Sequence, residues 1–254
     1  SVAGSNSYNL TIRATDQGTV HADQNITVDV LDDNDQPSLS EGNINGSLIS
    51  IAEDTIVGTL LADFNVSDQD ASHTHLWNLS GTDAAHFEVN PSTGELSLLV
   101  SLNYEIPSDA NKDNTYDLIL TATDSHASPM TSNPFNFQVT VNNVNEPPYL
   151  TGSFDVSISV NEDNASSFVS PTWQAIDPET NSSVGITWSL IDNGAKVNQL
   201  VTSVTGSTVR IDSVDGILTF LPIKNSNRYV QGSDSFLVSF EDPGGLEDNI
   251  TVQV

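Results

Sequence analysis

The sequence contains no cysteine and very few basic residues: its 254 residues include 6 lysines and arginines against 34 aspartates and glutamates. Without cysteine, neither a disulfide framework nor a thiolate metal site is available. The formal charge of −28 excludes nucleic acid as a partner, because phosphate binding requires a basic surface. A charge of this size also strains a compact chain through self-repulsion, so we expect bound cations to neutralise part of it.

Long apolar runs are absent as well. No run approaches the roughly 20 residues that a helix needs to cross a bilayer, and the first residues show no signal-peptide pattern. We therefore expect no membrane span in this segment, and any export signal or anchor to lie outside this sequence. Few lysines, one methionine and abundant Asn, Ser and Thr resemble the secreted or surface repeats of bacteria, and we predict an extracellular or cell-surface location.

Apolar and polar residues alternate through most of the chain, for example at 8–16 (YNLTIRATD), 48–54, 116–124 and 135–141. This period of two predicts half-buried antiparallel strands, and helical spacing with caps is not convincing anywhere. Short strands at intervals of roughly 8 to 12 residues predict an all-β protein made of β-sandwiches of about 100 residues. The core expected for one sandwich is Ile51, Leu60, Phe64, Leu76, Trp77, Phe87, Leu96, Leu98, Leu118, Leu120, Phe137 and Val139.

An internal repeat divides the chain into similar modules. The segment 26–37 (ITVDVLDDNDQP) recurs at 137–148 (FQVTVNNVNEPP), and 10–18 (LTIRATDQG) recurs at 118–126 (LILTATDSH). Repeats of this length fit one sandwich each, so we predict tandem Greek-key, immunoglobulin-like β-sandwiches arranged end to end. The predicted modules are the C-terminal strands of a truncated domain at 1–36, a complete domain at 37–147 and a divergent domain at 148–254.

The two strands predicted in 1–36 cannot bury a core alone, because an isolated hairpin is marginal in water. Two explanations are open. The chain is a fragment of a longer one, which is the simpler explanation, or another chain supplies the missing strands by strand addition.

Acidic residues gather at the predicted strand ends and in the linkers DDND (32–35) and NVNE (143–146). Strands of a sandwich run up and down, so acids at their ends collect at two poles, next to the linkers. Carboxylates about 4 Å apart repel each other by roughly 4 kcal/mol at an effective dielectric near 20. Calcium requires clusters of hard oxygen ligands, so this crowding predicts calcium at the linkers. The strand-end acids of the complete module are Glu53, Asp68, Asp70, Glu105 and Asp124.

These motifs resemble the cadherin repeats, and especially their bacterial relatives. DDNDQP and NVNEPP are similar to the linker motif DxNDN-P, Asp68-Gln69-Asp70 to DxD, and LNYE (102–105) to LDRE. ATD at 14–16 and 122–124 and the turn FEVNPSTGEL add to the resemblance, which covers nearly all of 1–147. The last module lacks an LDRE match. The resemblance implies a cadherin-like fold with calcium as the cofactor.

The resemblance also implies the ligands. Neutral or longer side chains stand where the family has linker or LDRE aspartates, namely Asn103, Asn143 and Glu146, so we expect fewer or more weakly held ions at the second linker. We call the region where a linker meets the neighbouring strand ends a junction. The resemblance implies about two or three calcium ions at the first junction, around 32–35, and one to three at the second, around 143–146. The first site is expected to use Asn34, Asp35, Asp68, Asp70 and Asp124, with Asp33 and Gln36 in slots that usually offer a backbone carbonyl. The second is expected to use Glu53, Asn103, Glu105, Asn143, Asn145, Glu146, Asp177, Glu179 and Asp242.

Simpler interpretations stand beside these. A single Asp at a strand end is usually a turn residue that caps backbone amides. His73 and His75 share a strand face and are two possible ligands of a transition metal, but ordinary surface histidines are more common. The tryptophans are candidates for a sugar-stacking platform, yet the core is their commoner place in sandwiches. The Asn-x-Ser/Thr sequons, such as those at Asn9 and Asn78, indicate glycosylation only in a suitable secretory pathway.

An enzyme is not predicted. Paired carboxylates hydrolyse glycosides, but here the acids recur with the module period, which suits a set of ligands better than one cleft. No Ser-His-Asp order, G-x-S-x-G elbow or phosphate-binding loop is present. The predicted function is a calcium-rigidified extracellular spacer or adhesion repeat of a longer surface protein or filament. Its expected partners are calcium ions, neighbouring repeats, and like chains or a cell-surface partner; the alternative is a carbohydrate- or protein-binding β-sandwich.

Overall fold

The structure, a computed structural model, describes residues 6–31, 33–40, 42, 46–70, 73–151, 174–203, 206–222 and 235–253. The chain forms two compact units, Ser1–Asn143 and Val144–Val254. Apart from one 3₁₀ turn at Ala84–His86, the regular elements of the described residues are β-strands, which confirms the predicted all-β class. None of them is a helix long and apolar enough to cross a membrane. The module limits at 36/37 and 147/148 stay a prediction.

The first unit begins with an antiparallel hairpin of β1 (Ser7–Thr15) and β2 (His21–Asp29). Its turn is closed by Asp16, whose Oδ1 accepts the backbone amides of Gly18 and Val20 at 2.8 and 3.0 Å. Every residue of both strands is exposed. The hairpin therefore has strand pairing without a core of its own.

The remainder of the first unit is a β-sandwich. Its strands are β3 (Ser38–Ser40), β4 (Leu48–Ala52), β5 (Leu60–Asp63), β6 (Asn65–Ser67), β7 (His75–Ser80), β8 (Phe87–Val89), β9 (Glu95–Leu98), β10 (Thr115–Asp124) and β11 (Phe135–Asn142). One sheet has the order β4-β11-β10-β7 and the other β5-β9-β8, with a short pair β3-β6. β4 runs parallel to β11, and the other pairs are antiparallel.

Both sheets bury side chains in one core, because every second residue of a strand faces it. Two members of the predicted core were wrong: Leu60 and Leu76 are 54% and 62% exposed. Leu76 precedes the buried Trp77, and successive side chains point to opposite faces of a strand. Leu60 lies at a bulge between β5 and β9, where Ala62 takes the buried position instead.

The second unit repeats this architecture in its described part. Its strands are β12 (Tyr149–Thr151), β13 (Gln174–Ile176), β14 (Thr187–Asp192), β15 (Ala195–Val197), β16 (Val201–Thr202), β17 (Thr208–Ile211), β18 (Leu218–Leu221), β19 (Ser235–Glu241) and β20 (Glu247–Gln253). Its sheets have the orders β15-β14-β19-β20, β16-β17-β18 and β12-β13. Asn193 and Gly194, with φ of 50° and 80°, form the tight β14–β15 turn, as expected for Asn-Gly in a hairpin.

Each unit packs a glycine turn against a buried tryptophan. Gly94 has φ +84° and lies on Trp77, while Gly216 has φ +69° and lies on Trp188. A Cβ atom at either glycine would lie 2.7 Å from the indole ring. Both units therefore place a glycine with a positive φ against a buried indole ring. It also removes Trp77 and Trp188 from the sugar-platform hypothesis, since they are 5% and 4% exposed; Trp173 lies outside the described residues.

Candidate metal centres

The first linker is hydrogen-bonded to the strand ends of the sandwich that follows it. Asn34 Nδ2 donates to Asp124 Oδ2 at 2.9 Å. The backbone amide of Asp35 donates to Asp70 Oδ2 at 2.7 Å. Gln69 Nε2 donates to Asp35 Oδ2 at 2.6 Å. The structure therefore brings together the linker residues and the downstream aspartates that the sequence placed in one site.

The downstream carboxylates are buried and fixed by backbone amides. Asp70 and Asp124 are 8% and 4% exposed, and Asp68 Oδ1 accepts the Asp70 amide at 2.9 Å. Burial alone would raise the pKa of Asp68, but the Asp70 amide and His75, whose Nε2 lies 2.8 Å from Asp68 Oδ2, lower it instead. Burial also acts to raise the pKa of Asp124, but hydrogen bonds from Asn34 and from backbone amides outweigh it, so this pKa is lowered as well. The carboxylates of Asp68 and Asp124 are thus ionised at neutral pH.

The first linker also contributes a buried oxygen atom that can serve as a cation ligand. Asn34 Oδ1 is buried and makes no hydrogen bond within the described part of the chain. A buried oxygen without a donor is unfavourable unless something positive faces it. Asn34 Oδ1 and the oxygen atoms of the ionised aspartates are hard oxygen ligands of the kind that calcium binds. The residues present therefore fit a calcium ion.

The second unit reproduces the same contacts around its own linker residues. Asn145 Nδ2 donates to Asp242 Oδ2 at 2.9 Å, as Asn34 does to Asp124. The Glu146 amide donates to Glu179 Oε1, as Asp35 does to Asp70. The Glu179 amide donates to Asp177 Oδ1 at 2.9 Å.

Two features adapt the second unit to this arrangement. Asn145 fits against Gly244, where a Cβ atom would lie 2.3 Å from Asn145 Oδ1. The pKa of Glu179 is raised, by burial first and then by the neighbouring Asp177. A cation bound between Asp177 and Glu179 would stabilise this arrangement, because its positive charge would offset the repulsion between the two carboxylates.

The predicted upstream ligands of the second linker lie at the other end of the first sandwich. Glu53 is 5% exposed, and its Oε2 accepts the Tyr104 amide at 2.7 Å. A carboxylate oxygen of Glu105 lies within 4.8 Å of one of Glu53. Asn103 Oδ1 accepts the Ile106 amide at 2.6 Å, so it acts as a loop cap.

The remaining predicted residues are exposed linker positions. Asp33 Oδ1 accepts the Asn34 amide at 3.1 Å, and Gln36 Nε2 donates to the Thr131 carbonyl. Asn143 is exposed. The assignment of all these residues as ligands stays a prediction.

The sequence hypothesis of a His73–His75 metal pair has little geometric support. His75 is paired with Asp68, whereas His73 faces His126, with ring centroids 5.3 Å apart. No group of three potential ligands forms around these rings in the part of the chain that the structure describes. Sequence reasoning also missed the buried Asp83 and Asp109, which are 3% and 0% exposed, because isolated acids in a polar segment look like solvated turn residues.

Tandem sandwiches with an oxygen-rich cluster at each linker define a class of extracellular repeat. Comparison with known proteins agrees with this description: residues 47–142 match the family model of the cadherin domain. Protocadherin gamma-A4 of Pan troglodytes is 28% identical over 251 residues, which cover 97% of this chain and 25% of that protein. The chain thus spans about a quarter of the length of this relative.

Solved structures share the fold. The extracellular cadherin domains 1–5 of Protocadherin Gamma B2 match with a TM-score of 0.56 at 20% identity, covering 98% of this chain and 45% of that one. A cis-dimer structure of Protocadherin gammaB7 EC3-6 matches with a TM-score of 0.54 at 21% identity, covering 98% and 57%. These matches confirm the predicted cadherin-like β-sandwich and agree with the predicted extracellular location.

The comparisons also bear on two other expectations. The proteins matched are cadherins and protocadherins, in agreement with the prediction that the chain is not an enzyme. The relatives matched by sequence include proteins of Pan troglodytes, Homo sapiens and Caenorhabditis elegans, which gives no support to a relation with bacterial surface proteins. Assembly into a filament likewise stays a prediction.

Proposed function

We propose that the chain is a calcium-stiffened repeat segment of an extracellular adhesion protein. Calcium binds where a linker meets strand ends, and the bound ion holds the linker in one conformation. The modules then act as a spacer that carries adhesive surfaces. The ligands proposed for the first junction are Asp33, Asn34, Asp35, Gln36, Asp68, Asp70 and Asp124, and those for the second are Glu53, Asn103, Glu105, Asn143, Asn145, Glu146, Asp177, Glu179 and Asp242.

The observation that carries this proposal is the repeated contact set. Asn34 with Asp124 and Asn145 with Asp242 make the same hydrogen bond, although the two modules differ widely in sequence. Solvated turn residues have no reason to keep the same side-chain partner across a strand end. A common ligand set does explain it, because each asparagine amide orients an aspartate and leaves its own oxygen for the ion.

Calcium links the stability of the modules to the ion concentration. An ion that binds only the folded state stabilises it by RT ln(1 + [L]/Kd). Extracellular calcium modules have dissociation constants of about 10⁻⁴ to 10⁻³ M. We therefore expect the junctions to be occupied and stiff outside a cell and largely empty inside it. We also propose like chains as lateral partners, in line with the cis-dimer structure of Protocadherin gammaB7 EC3-6.

The test is a thermal melt of the whole chain paired with small-angle X-ray scattering, in millimolar calcium and after chelation. Calcium should raise the melting temperature and lengthen the particle. Replacing Glu105 and Glu146 with alanine should remove much of both changes, and Asp35→Ala should remove a further part of them.

The matched control is the pair E88A and D192A, which removes two exposed acids outside the proposed sites. It should leave the calcium response unchanged. If calcium changes neither observable in the unaltered protein, or if the control pair lowers the response as much as E105A with E146A, the junctions are not calcium sites. The acids are then solvated turn residues, and the alternative of a carbohydrate- or protein-binding sandwich takes precedence.

A further inference from the structure

The loop between β9 and β10 is organised by two buried carboxylates. Asp109 accepts the backbone amides of Asp113 and Asn114 at 2.9 and 3.1 Å. Asp83, which precedes the 3₁₀ turn, accepts the amides of Ala110 and Asp117 at 2.8 and 2.9 Å. Hydrogen bonds from backbone amides to a buried carboxylate are charge-assisted and therefore strong. The loop is consequently a fixed part of the sandwich.

Asn114 connects this fixed loop to the proposed second calcium junction. Its φ of 62° turns the side chain toward the preceding part of the loop, where Nδ2 donates to the Tyr104 carbonyl at 2.9 Å. The Tyr104 amide donates in turn to Glu53 Oε2 at 2.7 Å. Tyr104 is thus held on both sides, by Glu53 through its amide and by Asn114 through its carbonyl, immediately before Glu105.

This arrangement opposes the repulsion between two acids. Carboxylate oxygens of Glu53 and Glu105 lie within 4.8 Å of each other, a distance that disfavours two negative charges. A free loop would relax by separating them. The bond from Asn114 keeps the Tyr104 carbonyl in place, so an ion meets ligands that are already converged, and the ordering cost of binding is lower.

We propose that Asn114, held by Asp109, is a positioning residue that sets how tightly Glu53 and Glu105 bind calcium. The proposal rests on the function proposed above. Neither Asn114 nor Asp109 is a ligand in it. Asn114 acts through the bond that its Nδ2 donates to the Tyr104 carbonyl.

The test uses Asn114→Gly in the whole chain, because glycine accepts the positive φ and removes the side-chain hydrogen bond to Tyr104. Lys112→Gly is the matched control: Lys112 also has a positive φ of 64° in the same loop, but its exposed side chain does not bond to Tyr104. Calcium titration by calorimetry should show N114G binding at the second junction about two- to twelve-fold more weakly, the range that one ordinary hydrogen bond gives. K112G should bind as the unaltered protein does.

A second readout separates positioning from a general loss of structure. In calcium-free protein, hydrogen exchange at the Tyr104 amide should be faster in N114G, while exchange in β10 stays unchanged. Faster exchange throughout β10 would show a merely structural role and overturn the proposal. In an E105A background, N114G should cause little further loss of calcium affinity; an undiminished loss would also overturn it.

The two proposals fail in distinguishable ways. If E105A leaves calcium binding unchanged, the calcium junction itself is wrong and this inference falls with it. If E105A weakens binding and N114G does not, the junction stands and only the positioning role of Asn114 is refuted.

Discussion

Replacing Gly94 with alanine should destabilise the first sandwich far more than the same change at Gly58. Both glycines have a positive φ, +84° and +86°, so both variants carry the left-handed penalty of about 1–2 kcal/mol for an L-residue. At Gly58 nothing lies within 4 Å of the new methyl group, whereas at Gly94 the methyl would lie 2.7 Å from the ring of Trp77. Overpacking a filled core adds about 1–3 kcal/mol. We therefore expect a loss of about 2–5 kcal/mol for G94A and about 1–2 kcal/mol for G58A.

Native-state hydrogen exchange measured by mass spectrometry suits this comparison, because it gives separate free energies of opening for each module. Peptides from β10 report on the first sandwich, and peptides from β14 serve as an internal reference. The second unit offers an independent pair, with G216A pressing on Trp188 and G194A having open space. If G94A costs no more than G58A, the packing of the turn on the indole ring is not a source of stability and the reasoning is refuted.

The remaining predictions concern charge. Burial acts to raise the pKa of Asp109, but hydrogen bonds from backbone amides outweigh it and lower the pKa. The ionised Asp109 therefore stabilises the fold at pH values above its unfolded pKa near 3.8. This stabilisation is lost as the pH falls through the lower pKa of the folded state. D109N should be less stable than the unaltered protein at neutral pH by about 1–3 kcal/mol, the usual cost of poorly satisfied buried amides. Between pH 4 and pH 2, roughly the Asp titration range, the urea midpoint of D109N should fall less than that of the unaltered protein. An equal fall in both proteins would contradict the assignment. Lys196 forms ion pairs with Glu241 and Glu247 at a partly exposed site, so K196M should lower the free energy of unfolding by no more than about 1 kcal/mol. High salt should reduce the difference in stability between K196M and the unaltered protein. A loss that does not depend on salt would show that packing of the lysine stem matters instead.

The sequence predicted the downstream half of each junction because its signals are local and repeated. Asn34 and Asn145 occupy the same place in similar linkers, and their partners Asp124 and Asp242 each end a strand, so chain order alone places them at one pole. Leu60 and Leu76 were assigned to the core from apolar character, yet a bulge and the alternation of a strand decided their exposure. Local composition does not encode either effect reliably.

The loop after β9 was beyond prediction for a different reason. Asp109, Asp113 and Asn114 lie in a polar segment whose composition is that of a solvated turn. Asp109 is nevertheless fully buried, and the neighbouring part of the loop is tied to Asp83, distant in sequence, through the Ala110 amide. Only tertiary contact distinguishes such a residue from an exposed one, so the support of the proposed ligands Glu53 and Glu105 is visible only in the structure.

The hydrogen bonds of each linker residue to the strand ends that follow it have a consequence for biosynthesis. Asn34 and Asp35 find Asp124 and Asp70 only once the chain as far as Asp124 has been made and folded. A ribosome produces the linker first and those partners much later, and domains generally fold as units in order of synthesis. Each linker therefore lacks these hydrogen-bond partners during translation until the module that follows it is complete.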